Sequence, residues 1–487
     1  MKYLDPKPDY FVRRNLKPTA GVWSLWGLGV GAVISGNFFG WNFGLGAGGF
    51  GGMAGAVVLL AFMYFFLIRT MSELAAAMPH AGGAYGWCRA GLGPVGGVIA
   101  GFADNLKYVL IPAVIIFTLT NYLDPVADDW LGISLPNPVW WAILYLVFTG
   151  INIASARLAF VVAIILSLLS LTILAVFWAG ALAHLDFSEW ALNLDINGEE
   201  LFDGAGPLFP FGIAGIGAAI PFAIWFFLGI EQIPLAGEET VAPEQTIPRA
   251  LKITFATLVV AAVLTLILVA GMEPGAAIIG VSNEPLFAGF EIIFEYGISY
   301  AMLAFFGTIG LVVSFHAMLF ACGRNIFALS RAGYLPKFLS LTFGRTKTPV
   351  LALIAGSALG FLACVAIEFS AALFGGLPVG TILLNMAVFG AVIGYIMQSL
   401  AYLKLRQVGL GQLTKTSSGK AGALVALGLA LLTLLFLWLN EDYRPGLIGC
   451  VIWIGAGLLH FGIHARYRLV KSPEEEFALM VRENSKS

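Results

Sequence analysis

The sequence predicts an all-α integral membrane protein with about twelve transmembrane helices. Of its 487 residues, 59% are hydrophobic and only 11% are charged, and the mean hydropathy is +0.90. Soluble domains carry about 25% charged residues, so most of this surface must face lipid. One bilayer crossing takes about 20 apolar residues, and the apolar stretches supply that length about twelve times. The net charge of −2 argues against a nucleic-acid partner.

Twelve apolar stretches follow one another along the chain. The first is too long for a signal peptide and lacks a clean cleavage site, so we expect a retained first span. The predicted spans are 21–45, 50–78, 94–121, 137–151, 158–183, 208–234, 249–272, 298–330, 349–368, 379–405, 421–439 and 446–465. Between Pro274 and Tyr296 the chain is apolar but interrupted by glycine and proline, which leaves open a span or a helical plug on the outer face. We expect the cysteines in or beside the spans to be free thiols: Cys88, Cys322, Cys364 and Cys450.

Charged residues sort to opposite sides of the predicted spans. The N-terminal segment is basic, and so are two loops, with Arg331, Lys337, Arg345 and Lys347 after span 8 and Arg406, Lys415 and Lys420 after span 10. Loops on the other side carry Asp124, Asp128 and Asp129, then Asp186, Glu189, Asp195, Glu199, Glu200 and Asp203, then Glu273, Glu284, Glu291 and Glu295. Because positive loops stay in the cytoplasm, we predict that both termini are cytoplasmic and that the protein spans the inner (cytoplasmic) membrane.

Two glycine-rich apolar segments, Gly29 to Asn37 and Gly215 to Pro221, align at an offset of 186 residues. Interruptions at corresponding points of two halves indicate the binding site of a secondary transporter. Unwound backbone at membrane depth persists only where it lines a cavity, because lipid cannot bond its polar groups. A chance match of small residues in a chain rich in glycine and alanine is the alternative.

Three segments, in this order and spacing, resemble those of amino acid permeases of the amino acid–polyamine–organocation superfamily. They are Ser35-Gly36-Asn37 in span 1, Glu73 to Trp87 after span 2, and Trp225 to Arg249 after span 6, and a fourth, Gly323 to Pro336, supports them. The resemblance implies a leucine-transporter-like fold. In that fold spans 1–5 and 6–10 form inverted five-helix repeats, two helices follow, and the substrate lies between broken spans 1 and 6.

The resemblance also implies the domain organisation. The predicted units are a cytoplasmic N-terminal segment (1–19), a first repeat (20–183), an extracellular loop (184–207), a second repeat (208–408), helices 11 and 12 (409–465) and a cytoplasmic tail (466–487).

Within the family, Ser35 to Asn42 and Ser314-Phe315-His316 most resemble the ethanolamine permeases. That implies ion-coupled import of ethanolamine by alternating access. An amino acid transporter or exchanger of the same fold is the alternative, and a membrane sensor of the substrate is the alternative to transport. One departure is Lys107, where the subgroup tends to have an acidic residue. A lysine would repel a cation, or would suit a substrate that also carries a carboxylate. Scattered histidines and the lack of a P-loop argue against an enzyme, an ATP-driven pump and a bound metal, so no cofactor is expected beyond a coupling H⁺ or Na⁺.

The resemblance implies breaks at Ser35–Asn37 and Trp225–Gly229. Freed N–H groups at the start of the inner half of span 1 would attract a carboxylate, or Asn37 would bond a hydroxyl; a plain glycine kink against a neighbour is the alternative. Trp225 would cover the substrate amine, with Phe227 and other aromatic residues completing a cage unless they face lipid. The predicted substrate-binding residues are Ser35, Gly36, Asn37, Phe38, Trp41, Tyr108, Trp225, Phe226 and Gly229.

Five ionisable or hydroxyl residues within spans are candidates for ion coupling or a proton relay: Asp104, Lys107, Glu231, Ser314 and His316. Asp104 and Lys107 share a helix face, either as a mutually neutralising pair or in contact with substrate or proton. Glu231 either senses protons, braces span 6 or snorkels to the interface. Ser314 lies where sodium-coupled relatives place a hydroxyl, and His316 either carries a proton or makes an interhelical hydrogen bond.

Overall fold

The computed structural model describes residues 3–7, 9–192, 207–375, 377–407, 419–473 and 476–477. Within these ranges the chain is helical, and eleven helices are long and apolar enough to cross a membrane. A further apolar helix, Val22–Phe38, has 17 residues and opens span 1. The predicted all-α class with about twelve spans is therefore confirmed. Asp195, Glu199, Glu200, Asp203, Lys415 and most of the predicted cytoplasmic tail lie outside the described residues.

The spans follow the predicted order. The helices of the first half are Val22–Phe38, Phe43–Ala77, Ala84–Leu131, Asn137–Ala154 and Ala156–Ala181. The second half contains Ala214–Ala223 with the 3₁₀ helix Ile230–Glu239, then Pro243–Ala270, Tyr300–Ala332, Val350–Glu368 and Val379–Gln407. Spans 11 and 12 are Gly419–Leu439 and Arg444–Ile463. Gly49, with a φ of 70°, divides Phe43–Ala77 into the second half of span 1 (43–48) and span 2 (50–77).

Spans 1 to 4 of the first half pack against the spans of equal rank in the second half. Span 1 contacts span 6, span 2 contacts span 7, span 3 contacts span 8, and span 4 contacts span 9. Elements related by a two-fold axis contact their symmetry counterparts near that axis, so a pair of inverted repeats predicts this pairing.

The apolar stretch between Pro274 and Tyr296 forms two short helices, Gly275–Ile279 and Pro285–Ile293. Helices of 5 and 9 residues cannot cross a bilayer. The stretch is therefore not a span, which leaves the plug interpretation. The plug is tied to the first break, because the side-chain amide of Asn42 donates to the carbonyl oxygens of Ile279 (2.6 Å) and Ser282 (2.8 Å).

The predicted position of the first break, Ser35–Asn37, is wrong. The helix continues through these residues to Phe38, and the chain unwinds over residues 39–42, where Gly40 has a φ of 88°. Gly36 serves close packing instead, since a Cβ there would collide with the carbonyl group of Trp225. The second break lies where it was predicted. A 3₁₀ turn at Ile224–Phe226 leads into it, and Gly229 has a φ of 120°.

The predicted polarity of the first break is also wrong. The helix Val22–Phe38 ends at the break and so presents carbonyl groups to it. A helix start lies on the other side of the break, at Phe43, where the N–H groups of Gly44 and Leu45 donate to the carbonyl oxygens of Trp41 and Asn42. The positive end of a helix dipole therefore still faces the break, but from the opposite side.

All four cysteines are buried free thiols, as predicted.

Candidate substrate cavity between the broken spans

A cavity of about 740 Å³ lies where the two broken spans meet. Spans 1, 3, 6, 8 and 10 form its walls, and Asn283 of the plug region and the loop between spans 11 and 12 contribute to its lining. Its lining residues include Ser35, Gly36, Phe39, Gly40, Phe43, Ile111, Val114, Ile115, Thr118, Trp225, Leu228, Leu311, Met318, Thr381, Asn385, Glu441 and Asp442.

Three of the predicted substrate-binding residues line this cavity: Ser35, Gly36 and Trp225. Gly36 allows span 1 to approach the backbone of Trp225, so both residues sit at the crossing of the two broken spans. Gly229 lies just outside the lining. Its positive φ excludes a side chain without strain, and a Cβ there would meet the Met318 methyl group at 2.8 Å.

The other predicted binding residues are buried outside the cavity. The Asn37 side-chain oxygen accepts a hydrogen bond from Thr265 of span 7 at 3.2 Å, and Asn37 does not line the cavity. Phe38 packs on Gly310 of span 8. Trp41 and Phe226 pack against each other with their ring centroids 5.3 Å apart.

Two more aromatic residues of the prediction also lie elsewhere. The Tyr108 ring lies 4.4 Å from the Lys107 ammonium group, and the Phe227 ring packs 5.4 Å from that of Tyr64. The aromatic cage around Trp225 is thus not assembled from these residues in the described structure.

The sequence analysis missed the wall that span 3 contributes. Ile111, Val114, Ile115 and Thr118 are spaced three and four residues apart, so they form one helix face. The periodicity was visible in the sequence. The sequence does not, however, distinguish a helix face that lines a cavity from one that packs against a neighbouring helix.

Asp104, Lys107 and Glu231 form one buried ionic cluster, which joins span 3 to span 6. The Lys107 ammonium nitrogen lies 3.1 Å from Oδ1 of Asp104 and 2.6 Å from Oε1 of Glu231. The side chain of Lys107 is 0% exposed, and those of the two acids are 4% and 6% exposed. Glu231 also accepts a hydrogen bond from the backbone N–H of Gly229 at 2.9 Å, and so it holds the second break directly.

Hydroxyl groups of spans 5 and 8 bond the backbone of span 1. Ser314 donates to the carbonyl oxygen of Gly31 at 2.8 Å and accepts from the N–H of Ser35 at 3.3 Å. Ser167 donates to the carbonyl oxygen of Gly27, also at 2.8 Å. These bonds bring oxygen atoms of spans 1, 5 and 8 together along the helix Val22–Phe38, before the first break.

His316 faces spans 4 and 5 instead of the cavity. Its Nε2 lies 2.9 Å from the carbonyl oxygen of Ala159, and its Nδ1 lies 3.3 Å from the side-chain amide nitrogen of Asn152. Since only a donating Nε2–H and an accepting Nδ1 fit both partners, the ring fits its surroundings in the neutral form. These contacts agree with the interpretation of His316 as a partner in interhelical hydrogen bonds.

The side of the bundle that carries the basic loops is closed by ion pairs. Arg324 makes a two-pronged bond to Glu239, at 3.0 and 2.8 Å, and Arg331 does the same to Glu238, at 2.8 and 2.5 Å. The backbone N–H groups of Thr19 and Ala20 also bond the carbonyl oxygen of Glu239. The N-terminal segment, the end of span 6 and the end of span 8 are thereby joined.

A helical membrane protein whose two broken spans meet at a cavity has the architecture of a secondary transporter. Residues 24–440 match the family model described as amino acid permease. The chain therefore belongs to the amino acid permease family, and it is a multi-pass membrane protein.

Characterised and uncharacterised members are similar to it over most of their length. An uncharacterized transporter of Rhizobium meliloti is 27% identical over 393 residues, which cover 80% of this chain and 78% of that protein. The branched-chain amino acid permease BcaP of Bacillus subtilis is 24% identical over 477 residues, covering 93% of this chain and 94% of the permease. The lysine-specific permease LysP of Lactococcus lactis is 23% identical over 379 residues, covering 75% of this chain and 71% of the permease.

Proposed function

We propose that this protein is a secondary transporter that imports an amino acid by ion-coupled alternating access. The observation that carries the proposal is the cavity at the crossing of two broken spans, with Gly36 and Trp225 in direct apposition. Family membership supports transport of a small amine-bearing solute. Relatives named for branched-chain amino acids and for lysine indicate that the side-chain preference varies within this fold.

The two charges of an amino acid have complementary groups at the breaks. Phe43 lines the cavity at the start of the helix that follows the first break, and we place the carboxylate on this side, toward the positive end of the helix dipole. Trp225 also lines the cavity, and an ammonium group over an indole face gains about 0.5–2 kcal/mol. Ser35 adds a hydroxyl to the lining.

Ethanolamine is the second candidate solute. Two observations favour it: the resemblance of Ser35 to Asn42 to the ethanolamine permeases, and the acidic residues Glu441 and Asp442 among the cavity's lining residues. No lining residue that the structure describes is basic, so a solute without a carboxylate would meet no unsatisfied positive side chain.

We further propose that the coupling ion is a proton carried by the cluster of Asp104, Lys107 and Glu231. Two carboxylates share one ammonium group, so the cluster is one negative charge in excess and gains by taking up one proton. Because Glu231 bonds the N–H of Gly229, a proton on that carboxylate would weaken its hold on the second break. Sodium beside Ser314 and Ser167 is the alternative, since oxygen atoms of three spans converge there.

The charge distribution supports import across the inner membrane with both termini in the cytoplasm. The ion-paired end lies with the basic loops, and the cavity reaches Asn283 and the loop between spans 11 and 12, which lie on the acidic side. With positive loops in the cytoplasm, the cavity faces the outside.

The test is uptake of labelled leucine, alanine and ethanolamine into proteoliposomes under an imposed proton or sodium gradient. We expect amino acid accumulation above equilibrium that collapses when the proton gradient is dissipated. Trp225→Ala should abolish uptake and leave a monodisperse protein. Accumulation of ethanolamine alone would replace the proposed solute, whereas binding without accumulation would indicate a sensor. Sodium dependence without proton dependence would overturn the coupling proposal.

A further inference from the structure

The interior lining of the cavity carries no ionised side chain among the described residues. The two acids in the lining, Glu441 and Asp442, belong to the loop between spans 11 and 12, not to a span. Glu441 is 85% exposed and is paired with Arg444 at 3.2 Å. An ionised group carried into the interior would therefore lose its hydration without gaining an opposite charge, which is costly. This argues against a solute with a charged side chain.

Spans 3 and 8 contribute an apolar face to the cavity lining. Ile111 and Ile115 lie one turn apart on span 3, and Leu311 and Met318 lie two turns apart on span 8, with Thr118 the polar exception. The two spans pack against each other. Ser35 and Trp225, which offer a hydroxyl and an indole, lie on spans 1 and 6 instead.

We propose that this cavity selects amino acids with uncharged, apolar side chains, and that Ile115 is a residue that sets the preference. The inference rests on the proposed function, because it assigns the apolar face to the substrate side chain once the amino and carboxyl groups occupy the breaks. A two-carbon amino alcohol has no group that would reach this face.

The expected selectivity follows from burial of the substrate side chain. Each buried methylene favours binding by about 4-fold, the equivalent of about 0.8 kcal/mol. Leucine carries three more carbons than alanine, so it should bind up to about 60-fold more tightly when fully buried. Asparagine has nearly the shape of leucine but is polar, and it should bind no better than alanine.

The experiment is competition against labelled leucine uptake in proteoliposomes by alanine, valine, leucine, methionine, asparagine, lysine, glutamate and ethanolamine. The test variant is Ile115→Ala, and the matched control is Ile116→Ala, because Ile116 is a neighbouring buried isoleucine that does not line the cavity. We expect the leucine-to-alanine affinity ratio to fall about 4-fold or more in the test variant and to stay unchanged in the control.

The wild-type series decides the matter even if a variant fails to fold. Inhibition that rises from alanine to leucine, with weak inhibition by asparagine, lysine and glutamate, supports the inference. Uptake of amino acids with equal or stronger inhibition by lysine, glutamate or asparagine overturns the inference and leaves the proposed function standing. Absence of any amino acid uptake, with ethanolamine accumulating, overturns the proposed function and the inference with it. An unchanged ratio in a folded Ile115→Ala protein removes Ile115 from the selectivity surface.

Discussion

Replacement of Lys107 tests whether its ionic cluster is a structural element or part of the substrate surface. Its ammonium group lies 3.1 Å from Asp104 and 2.6 Å from Glu231, and its side chain is 0% exposed. It does not line the cavity. Lys107→Met keeps a side chain of similar length and removes the charge, so two buried carboxylates lose their common partner.

The magnitude follows from the burial of all three groups. Removing one partner of a buried ion pair costs about 3–5 kcal/mol, because the remaining charge is left without compensation. We therefore expect Lys107→Met to lower the free energy of unfolding by about that amount. Lys107→Glu should cost more, since it places a third carboxylate beside the other two. Adding Asp104→Asn and Glu231→Gln to Lys107→Met should recover most of the loss, because every charge of the cluster is then gone.

The assay is thermal and denaturant unfolding in detergent, together with substrate binding by thermal shift. Lys252→Met is the matched control, because Lys252 is a lysine of span 7 whose side chain is exposed. We expect that variant to match the wild type. The reasoning is refuted if folded Lys107→Met is as stable as the control, or if Lys107→Glu retains full stability and shifts substrate preference toward cations, since Lys107 would then face the solute.

Three other predictions concern the break, the closed end and a loop lysine. Gly36→Ala should abolish uptake, because its Cβ would collide with the carbonyl group of Trp225. The control Gly428→Ala should transport normally, because a Cβ at that position has no neighbouring atom within 4 Å. Equal uptake by both variants would contradict the packing argument. Glu239→Gln should lower the free energy of unfolding by about 3–5 kcal/mol, because it leaves a buried arginine unpaired, and a change below about 1 kcal/mol in denaturant unfolding would contradict this. Burial and two neighbouring arginines lower the pKa of Lys337. Below that lowered pKa, the charge on Lys337 destabilises the fold. Stability should therefore rise as the pH rises from the lowered pKa toward the ordinary lysine pKa. Lys337→Met should remove that rise in a pH series of melting temperatures.

The spans could be predicted closely because their signal is local. Twenty apolar residues must cross a bilayer wherever they occur in the chain, so length and composition alone set their number and order. The positions of the breaks were harder. Gly36 and Gly40 look alike in a sequence, yet the first is small so that another backbone can approach, and the second supplies a positive φ. Glycine density therefore located the region of the first break but not the unwound residues.

The ionic cluster shows a different limit of sequence reasoning. Asp104 and Lys107 could be paired from their spacing of three residues, because that spacing places them on one helix face. Glu231 lies 124 residues from Lys107 and joins them only through the packing of span 6 on span 3. No local sequence feature of either segment predicts this contact. The same holds for Asn37, whose partner Thr265 is 228 residues away and which does not line the cavity.

The identity of residue 107 also bears on the choice between the two candidate solutes. The resemblance to the ethanolamine permeases, made from the sequence, implies an acidic residue at this position. With Asp104 and Glu231 in place, an acid there would gather three carboxylates within membrane depth, and such a group needs a cation from outside the chain. Lys107 supplies that cation from within the chain, at 2.6 Å from Glu231. None of the three residues lines the cavity, so the cluster does not place a carboxylate against the positive charge of a solute. Recognition of that charge is then left to the indole of Trp225, and the positive end of the helix dipole at Phe43 favours a solute that also carries a carboxylate.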